Sequence, residues 1–271
     1  MKKISILISS ILLFLFVFAC VTSPLTGRSS AQLVSNAEIF PMAFAQYKQV
    51  LEQSKVDKTS NSAKMVQTVG QRLAAAAEKF YADNGMSASL QGYAWEFNLL
   101  DNKEQNAWCM PGGKVAVYSG ILPVCKSETG LAVVLGHEIT HALNGHSAEQ
   151  ISNAMMVQYG GQIVGGSISN NQWKSVFNEL YPVGAQVGLL KFGRNMELDA
   201  DKGGLLLMAM AGYDPREAIP FWQRMEQATA GNQAPPEFLS THPNPGNRIA
   251  QLQELMPQAI AMYDASPYKG K

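Results

Sequence analysis

The chain carries no excess of either charge: 21 Lys and Arg stand against 21 Asp and Glu in 271 residues. Binding along a phosphate backbone needs a basic surplus, so nucleic acid is excluded as a partner class. Cysteine is scarce, three in all, at 20, 109 and 125. None sits with histidine at zinc-finger spacing, which speaks against a closed, cysteine-rich structural zinc site. Beyond residue 18 no run is long and apolar enough to span a bilayer. There is no internal repeat and no array of helical hairpins. Histidine is scarce too, yet three of the four, His137, His141 and His146, fall within ten residues; the fourth is His242. Apolar residues make up 46% of the chain, enough to build a substantial core.

The N-terminus reads as a targeting segment. Lys2 and Lys3 precede an apolar stretch from Ile4 to Phe18, too short for a comfortable span and suited to the core of a signal peptide. Val17-Phe18-Ala19-Cys20 resembles a lipobox cut before Cys20, which would then carry the lipids. Val21 follows where an aspartate would signal inner-membrane retention, so the expected place is the periplasm, at the outer membrane. Loss of residues 1–19 removes two of the 21 basic residues and no acid, leaving a formal charge of −2. The expected layout is a signal over 1–19, a Ser/Thr/Gly/Pro-rich tether over 20–33, one domain over 34–265 and a tail over 266–271.

Apolar spacing predicts helices over 37–54 and 61–83, the second closed by Asn84-Gly85. Strands are expected over 95–100, 106–110 and 114–118, the last two joined through Pro111-Gly112-Gly113 as a type II turn. A helix over 128–146 continues to about 159. Glycine and polar residues over 160–182 predict a connecting loop or a flap. Further helices are expected over 183–211, 215–230 and 245–262. The fold class is α+β, mostly α-helical, with a small antiparallel sheet placed before the histidine-bearing helix.

The chemistry is concentrated in His137-Glu138-Ile139-Thr140-His141. Four-residue spacing on a helix stacks two imidazoles on one face, where they suit Zn²⁺. Glu138, displaced around the helix, is placed to take a proton from a water whose pKa the metal lowers. A third ligand and one open position are needed. His146, five residues beyond His141, is rotated off that face and suits the helix end instead. Glu197 and Asp201 share a face of a later, largely apolar helix, where unpaired carboxylates are costly. Glu197 is the candidate third ligand and Asp201 the candidate partner of a ligand histidine's other ring nitrogen. Asp199 reads as a solvated acid. His242 and Arg248, in a Ser/Thr/Pro/Asn-rich stretch, are either oxyanion-stabilising or turn-forming. Cys109 and Cys125 are either a disulfide or two buried thiols.

Taken together, Pro24-Leu25-Thr26-Gly27-Arg28, Asn106 to Gly113, His137 to His146, Glu197 to Asp201, and Thr241-His242-Pro243 with Arg248 resemble the HtpX-like and CAAX-prenyl-endopeptidase-like zinc metallopeptidases of the gluzincin type. Within them the chain is similar to small periplasmic lipoprotein members and to the soluble part of a mitochondrial inner-membrane stress protease. The resemblance covers about residues 24–262. It implies a zincin-like domain with one zinc per chain, His137, His141 and Glu197 as ligands, and Glu138 as general base. It further implies that His242 lies near the metal, stabilising the transition state or occupying the open position at rest, with Arg248 beside it. The strand after Pro111 is implied to lie along the cleft, where an extended peptide adds as a further strand. Two functions follow as expectations. One is an endopeptidase that cuts unfolded or misassembled envelope proteins. The other is a chaperone or scaffold for outer-membrane proteins, in contact with their assembly factors, that rarely cuts.

Overall fold

The computed structural model describes residues 20–164, 170–181, 191–228, 237–244 and 246–270. The signal expected over 1–19 lies outside these residues, as does the first part of the helix expected over 183–211.

The described chain opens with a hairpin, β1 (Cys20–Thr22) against β2 (Ser29–Ala31), with Cys20 opposite Ala31. The segment expected as a tether is therefore docked. Leu25 is buried in the main core, Arg28 forms a two-pronged ion pair with Glu149 at 2.7 and 2.5 Å, and Lys202 donates to the Thr26 carbonyl at 2.7 Å. A Ser/Thr/Gly/Pro composition signals a linker only where its groups find no partners, and these do.

Helix α1 (Asn36–Gln53) starts at a reciprocal cap between Ser35 and Glu38 and buries Ile39, Ala43, Tyr47 and Val50, one face at helical spacing. The short β3 (Val56–Asp57) leads to α2 (Asn61–Asp83), capped by Ser60 and closed by Gly85 at φ +71°. Strands β4 (Glu96–Leu100), β5 (Ala107–Met110) and β6 (Lys114–Tyr118) complete a sheet ordered β3-β4-β6-β5. The β5–β6 hairpin turns at Pro111-Gly112, with Gly112 at φ +84° and Gly113 N–H donating to Met110 O at 3.2 Å. The β3–β4 and β5–β6 pairs are antiparallel, whereas β4 and β6 run parallel. This order corrects one expectation. The strand after Pro111, β6, is flanked on both sides, so the edge on that side of the sheet is β5, the strand before it.

The sheet is two-faced, as its alternation dictates. Val115 and Val117 join a core with α2 and the later helices, while Ala116 and Tyr118 join a second core with α1 and the two helices that follow the histidine-bearing one. One-turn α3 (Leu122–Cys125) precedes α4 (Glu128–Leu143), whose first turn is capped by Ser127. Every residue of α4 from Gly130 to Leu143 is buried, so α4 is the central rod of the domain.

The helix expected to run on past 146 breaks at Asn144-Gly145, with Gly145 at φ +65°, and restarts as α5 (His146–Val164). The loop expected over 160–182 is likewise largely helical: α5 extends to Val164, and α6 (Asn170–Leu180) follows. Trp173, Val176 and Phe177 form an i, i+3, i+4 stripe that buries against α5. Helix α7 (Arg194–Met210) follows Gly193, so residues 191–193 are not part of it. It packs along α4 through glycines: a Cβ on Gly204 would stand 2.7 Å from the His137 backbone nitrogen. A single 3₁₀ turn, Pro215–Glu217, leads into α8 (Ala218–Gln227); α9 (Glu237–Thr241) and α10 (Arg248–Ala265) end the domain. No helix among the described residues is long and apolar enough to cross a membrane.

Candidate metal centre

Helix α4 presents His137, Glu138 and His141, and α7 presents Glu197, Asp199 and Asp201 opposite them. His242 follows α9, and Arg248 opens α10. The close approach of α4 and α7 at Gly136 and Gly204 brings these groups into one buried cluster. One ligating atom from each of His137, His141, Glu197 and His242 lies within 4.8 Å of the others. His141 Nε2 is 3.1 Å from His137 Nε2, and Glu197 approaches the two at 3.5 and 3.4 Å. His242 Nδ1 stands 3.0 Å from Glu197 Oε1 and 3.3 Å from His137 Nε2.

The ring protons follow from the outer partners. Asp201 accepts from His137 Nδ1 at 3.0 Å, which leaves Nε2 as the nitrogen turned to Glu197 and to a metal. His141 Nδ1 meets His146 Nδ1 at 2.8 Å, which turns the inner nitrogen of His141 to His137 and Glu197. Burial, reinforced by the neighbouring His137 and His146, holds His141 well below its ordinary pKa and therefore neutral. Burial alone would raise Glu197, but the charges and hydrogen bonds of His242 and His137 outweigh it, and the carboxyl lies well below its usual range. Burial alone would lower His137, but the Asp201 and Glu197 carboxylates outweigh it and hold His137 above its ordinary pKa, so without a metal a proton sits between His137 Nε2 and Glu197. A metal ion would take the place of that proton, with two imidazole nitrogens and a carboxylate converging on it. That donor set fits a divalent metal, and zinc in particular takes two histidines and a carboxylate.

Glu138 behaves differently from Glu197. Burial pushes it up to about 7, partly offset by His242, and the Cys109 backbone amide donates to it. Its Oε1 has no hydrogen-bonding partner and faces His242 Nε2 at 3.4 Å. Since Tyr118 N–H donates to Asn106 O, strand alternation turns the Ala107 and Cys109 backbones to the outer edge of β5, on the Glu138 side.

Arg248 and His242 meet the same Glu197 carboxylate, one on each oxygen. The Arg248 guanidinium bridges the two α7 carboxylates, at 2.9 Å to Glu197 Oε2 and 2.5 Å to Asp201 Oδ2, and rests 3.8 Å above the Trp222 ring. Its donors are committed to holding carboxylates, not aimed at a reacting carbonyl. Asp199, expected in solvent, is buried and bonded to His146 Nε2 at 3.0 Å and to Asn144 at 2.7 Å. Cys109 and Cys125 are both free thiols. One lies on the edge strand beside Glu138 and the other ends α3 behind Gly130, so the possible disulfide is not formed.

The aromatic walls are absent from the sequence reading. Phe192 packs on His141 with ring centroids 3.9 Å apart, Phe238 stacks on His242 at 4.6 Å, and Trp222 meets His137 edge-on at 5.5 Å. A lone aromatic in a loop or on an apolar helix face gives no local signal for such a role.

The model of Peptidase family M48 matches residues 60–256, which span strands β4 to β6, α4, α7, His242 and the first half of α10. The chain belongs to peptidase family M48. Among relatives, this M48 chain is 38% identical over 189 residues to the mitochondrial metalloendopeptidase OMA1 of Schizosaccharomyces pombe, covering 70% of this chain and 53% of that protein. To human OMA1 it is 30% identical over 256 residues, 88% of this chain and 46% of that one. To the beta-barrel assembly-enhancing protease of Escherichia coli O157:H7 it is 29% identical over 165 residues, 59% and 34% of the two chains. The chain spans about half the length of the OMA1 proteins it matches.

Proposed function

We propose that the protein is a zinc-dependent endopeptidase in which His137, His141 and Glu197 hold one metal ion and Glu138 is the general base. The observation that carries this reading is the convergence of three metal-ligating side chains beside a buried carboxylate pushed up to about 7. Zinc bound there supplies Lewis acidity, lowering the pKa of a water and polarising the scissile carbonyl. Asp201 holds His137 by its Nδ1 proton, and Arg248 holds Asp201 and Glu197 together. Glu138, with an oxygen free of partners, takes the proton of the attacking water and returns it to the leaving amine. The outer edge of β5 offers backbone groups to an extended peptide, which fits unfolded chains as substrates. Because family relatives include an assembly-enhancing protease, the favoured substrates are unfolded or misassembled envelope proteins. Lys2, Lys3, the apolar run 4–18 and an exposed Cys20 support lipidation at Cys20 and attachment to the outer membrane from the periplasm.

A second reading has an observation of its own. His242 Nδ1 is 3.0 Å from Glu197 and its Nε2 faces Glu138, so in this arrangement His242 stands where a fourth ligand would. The protein in that state is a zinc-bound scaffold for outer-membrane proteins, with proteolysis held back. Casein cleavage and zinc content of the protein after removal of residues 1–19, beside Glu138→Gln, test both. The expected result is about one zinc in each and cleavage reduced on the order of 10²–10⁴-fold in the variant. Zinc in both with cleavage by neither favours the held-back state, and His242→Ala is then expected to release activity. Folded protein without zinc overturns the ligand assignment.

A further inference from the structure

The Asp199–His146 pair has no part in the chemistry above, yet it is built as carefully as the pair on the other ligand. His146 Nε2 stands 3.0 Å from Asp199 Oδ2, and His146 Nδ1 stands 2.8 Å from His141 Nδ1. The chain reverses at Asn144-Gly145, and this turn, with Gly145 at φ +65°, swings the first residue of α5 back against His141. Asp199 also accepts from Asn144 Nδ2 at 2.7 Å, and Asn144 Oδ1 accepts from Ser23 Oγ at 2.6 Å. Thr26 Oγ1 lies 3.5 Å from the same Asn144 amide, and the Thr26 carbonyl is held by Lys202 at 2.7 Å. Ser23, Thr26, Asn144, His146 and Asp199 are all buried.

We propose that Asp199 and His146 are positioning residues for His141, and that residues 23–28 lock them in place, so that the N-terminal hairpin sets the grip of the metal site. The proposal rests on the reading that His141 ligates zinc. Its logic is proton placement. A carboxylate accepts only, so His146 carries its proton on Nε2. The ring's other nitrogen, Nδ1, is then the one that accepts. His141 must therefore offer an N–H from Nδ1, and its own lone pair is fixed on Nε2, toward Glu197 and His137. The ring is also fixed in rotation, because the same bond that selects the tautomer aims the imidazole. His137 is set by Asp201 in one step; His141 is set by Asp199 in two, and the second step is tied to a segment more than a hundred residues away in sequence. The alternative is that these groups merely satisfy one another in a buried place, with no effect on the metal.

The two readings separate by zinc affinity, measured by chelator competition on the protein lacking residues 1–19, together with the visible spectrum of its cobalt-substituted form. His146→Leu is expected to weaken zinc binding by about 10–100-fold. His146→Asn keeps an acceptor close to the position of Nδ1 and is expected to lose clearly less, while shifting the cobalt spectrum in the same direction. Asp199→Asn, close in shape, is expected to lose affinity with the fold retained, and decides the matter if metal-free His146→Leu does not fold. Ser23→Ala with Thr26→Ala is expected to weaken zinc several-fold. Unchanged affinity in Asp199→Asn, or equal losses in His146→Asn and His146→Leu, overturns the positioning role. Unchanged affinity in the Ser23/Thr26 pair overturns the link to the hairpin. Failure of the unaltered chain to bind zinc is a different result, since it removes the ligand reading itself.

Discussion

At the scale of single residues, burial decides what each ionisable group does. Arg248 is only 2% exposed, and it is tolerated because two carboxylates and the face of Trp222 surround it. The cysteines show the opposite case, where burial outweighs what few partners they have. Burial pushes the Cys125 thiol from 9.0 up to about 12, and it drives Cys109 well above its ordinary value, with the Glu138 charge adding to it. Both are therefore neutral thiols near pH 8. A Cys20→Ser protein is expected to show no fast reaction with Ellman's reagent while folded at pH 8, and two thiols once denatured without reductant. Fewer than two after denaturation would mean that they pair in solution. The sign of the pH effect follows from the raised folded value. The stability associated with neutral Cys125 is complete below pH 9.0 and is lost as pH rises toward about 12.

At the scale of elements, the site depends on how closely α4 and α7 approach. Gly204→Ala would improve intrinsic helix propensity by about 1 kcal/mol. The added Cβ, however, meets the His137 backbone nitrogen at 2.7 Å and the Gly136 carbonyl carbon at 2.9 Å, and backbone cannot yield as a side chain can. Overpacking of this kind costs about 1–3 kcal/mol, so it prevails, and the helices part where Glu197 faces the histidines. Thermal unfolding is expected to drop by several degrees and zinc affinity to fall with it; an unchanged midpoint would show that the helices have slack. This interface also marks what could be read in advance. His137, Glu138 and His141 declare themselves because four-residue spacing is local, and Glu197 with Asp201 because two acids on an apolar helix need a reason. The stripe of α6 was hidden by polar Asn and Gln between Trp173, Val176 and Phe177. The break at Gly145 was hidden because a glycine four residues past a histidine looks like any helix end. Asp199 appears solvent-facing until the reversal at Gly145 supplies His146, and Phe192, Trp222 and Phe238 reach the site only through tertiary packing. The order of β5 and β6 could not be read at all, since the parallel β4–β6 pairing joins strands that are not neighbours in sequence.

At the scale of the whole molecule, the sheet and α7 pack against one rod, α4, the N-terminal hairpin bonds to its end at Asn144, and the last helix covers α7. The four candidate ligands at the centre are each 0–2% exposed. So deep a burial bears on rates as much as on affinity. An ion so enclosed leaves only when the enclosure parts, and a peptide reaches Glu138 only by the same parting; exchange of the metal and admission of a substrate then share one slow step. Zinc stripping by excess chelator is expected to be first order and to level off as chelator is raised, at the rate of that opening. An unfolded polypeptide that holds the cleft apart is expected to quicken it. A stripping rate that climbs in proportion to chelator would mean that the ion has its own door.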